Sequence, residues 1–60
     1  MKKRIIVHKP VVGCYGNEYK VTYWNGNNVV YSSVLFEDDL EYLHESAPKG
    51  FDDARIVRRD

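Results

Sequence analysis

His8 and His44 are the only imidazoles of this 60-residue chain, and Cys14 is its only thiol. An imidazole beside a thiol can draw off its proton and make a nucleophile, so His8 and Cys14 form one conceivable pair. The competing account is a surface histidine and a small, partly buried thiol. Catalysis also needs an orienting group and a pocket of about 300 Å³, and a chain this short has little volume for one beside a core. Glu41 and His44 form a single E-x-x-H. That motif builds metal sites in helix bundles, where two copies and further carboxylates complete the ligand set. One copy leaves the set unfilled. No C-x-x-C, H-E-x-x-H, Walker A or G-x-G-x-x-G pattern occurs, and Gly13-Cys14-Tyr15-Gly16 is turn material. The expectation is a protein with no catalytic residues, no metal and no cofactor.

Residue types suited to binding are more plentiful. Tyr15, Tyr19, Tyr23, Trp24, Tyr31 and Tyr42 are many aromatics for 60 residues. Aromatics on an open sheet next to basic strands stack single-stranded bases. The same types, with arginine, are the usual anchors of protein interfaces. Ordinary sheet packing or a dimer interface is the third account of them.

The charges are segregated along the chain. Residues 1–36 carry five cations against one acid, residues 37–53 seven acids against one lysine, and residues 54–60 three arginines against one acid, for a net charge of zero. A neutral total disfavours a binder that works by phosphate neutralisation. It equally disfavours a DNA mimic, which would be acidic throughout.

Elements must position these groups. Lys3–Lys9 reads as a strand that Pro10 interrupts, because proline has no N–H for a ladder. Gly16-Asn17 fits a two-residue turn, with a longer loop over residues 10–17 as the alternative. Residues 18–24 alternate cleanly, with Tyr19, Val21 and Tyr23 on one face and Glu18, Lys20, Thr22 and Trp24 on the other. Asn25-Gly26-Asn27-Asn28 is a hairpin signal, and residues 29–36 return. A three-residue bulged loop would bring Val29, Tyr31 and Leu35 onto the Tyr19 face; an even-length loop would bring Val30, Ser32 and Val34. The first makes the more apolar face. One helix is expected over residues 38–47, with Asp38 and Glu41 as a capping box and Leu40, Leu43 and Ala47 as the stripe facing the sheet. Its acids form the solvated face. Pro48 and Gly50 end it, and residues 51–59 make the last strand. The fold class is α+β: a small antiparallel-type sheet of three or four strands in the order β-β-β-α-β, with one α-helix packed on one face, in a single domain spanning residues 1–60.

A core this small supplies roughly 3–5 kcal/mol. One cysteine forms no internal disulfide and fits a reducing compartment. Self-association, as a homodimer, or a partner surface is therefore expected to add stability. Ile5-Ile6-Val7 is too short for a secretory signal, which needs about 7–15 apolar residues, and no stretch approaches the ~20 of a membrane span. The expected location is a host cytoplasm, with no membrane partner.

The acidic helix, the turn Pro48-Lys49-Gly50-Phe51 and the following strand with Arg55 and Arg58 resemble small phage-encoded inhibitors of host proteins, among them podophage inhibitors of host RNA polymerase. The resemblance covers residues 36–60. It implies an anti-defence or host-takeover protein that blocks a host surface, RNA polymerase or a CRISPR effector, with Arg55 and Arg58 engaging an acidic region. With the residue chemistry added, the expected partner contacts are Arg55, Arg58, Arg59, Trp24, Glu41 and Glu45. Direct nucleic-acid binding is expected to be weak or nil; a single-stranded nucleic-acid module and a dimeric accessory protein are the alternatives.

Overall fold

A computed structural model describes residues 2–59. Five strands form one sheet: β1 (Lys3–Val7), β2 (Val11–Gly13), β3 (Gly16–Asn25), β4 (Asn28–Phe36) and β5 (Arg55–Arg58). A 3-10 helix (Glu37–Tyr42) runs directly into one α-helical turn, α1 (Leu43–Ser46). The α+β class holds, but the order is four strands, a helical segment and a fifth strand. The extra strand arises at Pro10.

β4 takes one flank of β3 along its length, pairing from Glu18↔Phe36 to Asn25↔Asn28. β1 and β2 lie end to end on the other flank. Between Val7↔Val21 and Val11↔Glu18, residues 8–10 oppose only residues 19 and 20. This one-residue bulge absorbs Pro10, while the His8 N–H still donates to the Lys20 carbonyl at 2.9 Å. The turn between β2 and β3 is Cys14-Tyr15 and not Gly16-Asn17, with Gly16 already paired to Gly13. β5 adds parallel to β1, Arg4↔Arg55 through Val7↔Arg58. The antiparallel pairs β2–β3 and β3–β4 are joined by two-residue turns, β1 reaches β3 by way of β2, and the one parallel neighbour is reached by the helical crossover.

The β3–β4 connection is two residues, Gly26-Asn27. Only Gly26 has positive φ, at +64°, the pattern of a turn with glycine first. A bulge follows inside β4: Tyr23 faces Tyr31, but Trp24 faces Val29. Tyr31 and Leu35 therefore join the Tyr19-Val21-Tyr23 face as expected, whereas Val29 belongs to the Trp24 face. The extra residue sits in the strand, not in the loop.

That first face is the core. Ile5, Val7, Tyr19, Val21 and Tyr23 pack against Leu43, Phe51 and Ala54, with Leu35, Leu40 and Ala47 at the margin. Tyr23 stands at its centre, edge-on to Phe51 at 5.5 Å and tilted against Tyr31 at 5.3 Å, separations typical of favourable aromatic pairs. Leu40 and Leu43 face the sheet as the sequence implies, but through a 3-10 segment. Three residues per turn places i and i+3 directly above one another. The start also differs: Phe36 occupies the cap, and Asp39 reaches back to accept its N–H at 3.3 Å. Asp38 and Glu41 do not make the expected box.

Only Arg55–Arg58 of the expected last strand is extended. Before it, turns at residues 48–54 carry Phe51 and Ala54 into the core. Gly50 has φ +96°, and its carbonyl accepts from Lys3 Nζ at 3.0 Å. A Cβ there would lie 2.7 Å from that ammonium, which sits at the end of a flexible side chain and can move aside, so it is the backbone conformation that calls for glycine. Among the described residues no helix is long and apolar enough to cross a membrane.

Candidate binding face

The crossover covers one face of the sheet, and no described element packs on the other. Alternation fixes what that open face carries. β3 presents Glu18, Lys20, Thr22 and Trp24. Across from them, β1 presents Arg4 and Ile6, β4 presents Val29, Ser32, Val34 and Phe36, and β5 presents Arg55 and Val57. One row therefore runs Val29, Trp24, Arg4, Arg55 across four strands.

Its centre is ordered by hydrogen bonds. The Trp24 indole N–H donates to Thr22 Oγ1 at 2.9 Å, and His8 Nε2 lies 2.9 Å from the same oxygen. A hydroxyl both accepts and donates. The arrangement satisfying all three groups is Trp24 N–H to Thr22 oxygen and Thr22 O–H to His8 Nε2, with the imidazole proton on Nδ1. The indole is thereby drawn along β3 toward Thr22. The Arg4 guanidinium lies over it, 5.1 Å from the ring centroid, a cation–π geometry. Arg4 Nε is buried there with no hydrogen-bond partner. These long side chains shelter Ile6 and Thr22, which are 5% and 7% exposed despite lying on the uncovered side.

The two faces differ in charge. Arg4, Lys20 and Arg55 stand on the open side, with Glu18 as its one acid among the described residues, folded back over Gly13. Glu37, Asp38, Asp39, Glu41 and Glu45 all lie on the exposed crossover across the sheet.

The expected contact residues are divided by this arrangement. Trp24 and Arg55 share a row of the open face. Arg59, whose N–H donates to the Val7 carbonyl at 2.9 Å, continues the Arg55-Val57 side by alternation. Arg58 is on the core side, its guanidinium 5.9 Å from the Tyr19 ring. Glu41 and Glu45 line a shallow groove with Leu40, His44 and Ile56 between the crossover and β5. Arg4 and Lys20, not among the expected contacts, join the Trp24 group. The sequence signal for Lys20 was the alternation of β3. For Arg4 it was the alternation Arg4-Ile6-His8, uninformative until β1 is placed beside β3.

Catalytic pairings do not assemble. Cys14 is exposed in the β2–β3 turn, which corrects the expectation of a partly buried thiol. His8 stands opposite Lys20, whereas Cys14 lies beyond Gly16, four residues or roughly 13 Å along the strand. No three His, Cys, Asp or Glu side chains among the described residues are grouped to hold a metal ion.

Comparison with known protein families, with curated proteins and with solved structures gives no match.

Proposed function

We propose that this chain is a non-catalytic, phage-type binding protein that inhibits a host or host-defence protein by covering part of its surface. The observation that carries the proposal is the row Trp24-Arg4-Arg55 on an uncovered, cationic sheet face with the acids of the crossover held on the opposite side. A guanidinium over an indole, flanked by a second arginine, is the residue chemistry of an interface anchor. A field positive on one side and negative on the other orients an acidic partner before contact. The resemblance over residues 36–60 supports RNA polymerase as the target, with a CRISPR effector as the alternative that other small phage inhibitors suggest, and Arg55 is the one arginine that both the resemblance and the described open face share.

The test is co-purification from a bacterial lysate with wild-type, Trp24→Ala and Arg55→Glu baits, followed by an activity assay of the captured protein. The expected result is one acidic-surfaced protein held by wild type alone and inhibited by it stoichiometrically. Equal capture by all three baits overturns the assignment of the face.

A single-stranded nucleic-acid module is the second reading, favoured by the same positive face. Against it, Trp24 is the one aromatic at the centre of that face, and Arg4 and Thr22 already engage its ring and its N–H. Base stacking needs a free aromatic plane.

A further inference from the structure

We infer that β4 is a self-association edge, pairing antiparallel with β4 of a second copy about a two-fold axis at Ser33, so that two sheets join into one.

Of the three strands with a free flank, β2 is only three residues long, which itself limits pairing; the two longer ones are built differently. β5 reads Arg-Ile-Val-Arg and is followed by Arg59, and charged edges resist pairing. β4 reads Asn-Val-Val-Tyr-Ser-Ser-Val-Leu-Phe, with no charge and no proline across nine residues. Its one protective feature, the bulge beside Trp24, lies at the hairpin end. Tyr31–Phe36 remains regular, with one flank free of any described partner. Val34 on this strand is 59% exposed and Tyr31 49%.

The strand is complementary to itself. With Ser33 on the axis, the identical side chains that must meet are small. Tyr31 then faces Leu35 of the second copy, an aromatic–aliphatic pair of the kind that stabilises sheets, and Ser32 faces Val34. Antiparallel pairing also carries Glu37, Asp38 and Asp39 of the two copies to opposite ends of the joint. Parallel pairing would bring those acids together.

The surface area agrees with a missing partner. The chain exposes 4598 Å² at 7.0 kDa, against about 4,000 Å² expected of a monomer of that mass. That excess of about 600 Å² is shared between the β4 edge and other exposed apolar side chains such as Val12 and Tyr15. The axis stands perpendicular to the sheet, because only that orientation relates antiparallel neighbours within one sheet. Both open faces then lie on one side and both acidic crossovers on the other. The dimer presents two Trp24-Arg4-Arg55 rows on a continuous surface. This inference rests on β4 alone, so it can fail while the proposed function stands, and the reverse.

Sedimentation equilibrium at micromolar concentration tests it. Wild type should sediment at twice the 7.0 kDa chain mass. Ser33→Lys and Ser33→Glu should each sediment as monomers, since like charges meet on the axis, and mixing the two should restore the dimer. Should either variant fail to fold, as judged by circular dichroism, Val34→Lys at an exposed position replaces it and should also shift the protein to monomer. Ile56→Lys on β5 should leave the dimer intact. A monomeric wild type overturns the inference, leaving β4 open to a strand of another protein. Dimers that survive Ser33→Lys or Val34→Lys, or that dissociate on Ile56→Lys, overturn it as well.

Discussion

Arg4 and Trp24 are register partners on adjacent strands, and the guanidinium of one lies over the indole of the other at 5.1 Å. The contact fixes these two large side chains of the open face in advance of any binding. Side chains already ordered lose less freedom on binding. It depends in turn on Thr22, whose hydroxyl holds the indole N–H.

Thr22→Val keeps the shape of that position and removes the hydroxyl. Trp24 and His8 both lose a partner, and the expected loss is about 1–3 kcal/mol in denaturant unfolding, with a shift in tryptophan emission. Thr22→Ser should restore most of it. Equal stability of the valine and serine variants would show that the hydroxyl network contributes nothing.

Arg55→Glu and Arg58→Glu should have different consequences. Arg55 stands on the open face beside Arg4, so its reversal should abolish partner capture and leave the fold intact. Arg58 stacks on Tyr19 across the sheet, so its reversal should cost about 0.5–1 kcal/mol of stability and leave capture unchanged. Loss of capture with Arg58→Glu and retention with Arg55→Glu would place the interface on the crossover side.

Leu43 is 4% exposed and is the main contact of the helical segment with the sheet. Leu43→Ala should lower stability by about 2–4 kcal/mol, much of the margin of so small a domain, and thermal unfolding should move down accordingly. An unchanged midpoint would mean that the crossover adds nothing to the core.

Burial, and after it the neighbouring Tyr31, raises the Tyr23 phenol above its ordinary value of 10.0. A group whose folded value is raised contributes fully below the unfolded value and loses that contribution as pH rises through the folded one. Stability should therefore fall in the alkaline range above pH 10, followed by tyrosinate absorbance and circular dichroism together. Tyr23→Phe should move alkaline unfolding to higher pH. Coincident curves for the two proteins would assign the transition to other groups.

A short single-stranded oligonucleotide should show no measurable binding at physiological salt. Micromolar or tighter binding that falls steeply as salt is raised would favour the nucleic-acid reading over the protein-binding one.

Local chemistry made much of this legible from the chain alone. The alternation over residues 18–24 separates Tyr19, Val21 and Tyr23 from Thr22 and Trp24, because a strand has period two wherever it sits. Leu40 and Leu43 mark the side of the crossover that faces the sheet, and Pro10 marks the break between β1 and β2. The bulge in β4 was beyond such reasoning: a two-residue loop with one extra strand residue and a three-residue loop bring Tyr31 to the same face. The α-helix expected over residues 38–47 is instead a 3-10 segment with one α-helical turn, since i, i+3 spacing suits a 3-10 turn as well as an α-helix. The composition of the open face depended on tertiary structure most of all. Arg4, Trp24 and Arg55 are separated by 20 and 31 residues in sequence, and only the antiparallel register of β1 on β3 and the parallel register of β5 on β1 align them. Each register is fixed by burying Ile5 and Val7 under the crossover, since a one-residue slip would turn those side chains outward. The same constraint turns Arg58 toward Tyr19 and leaves Arg55 on the open side.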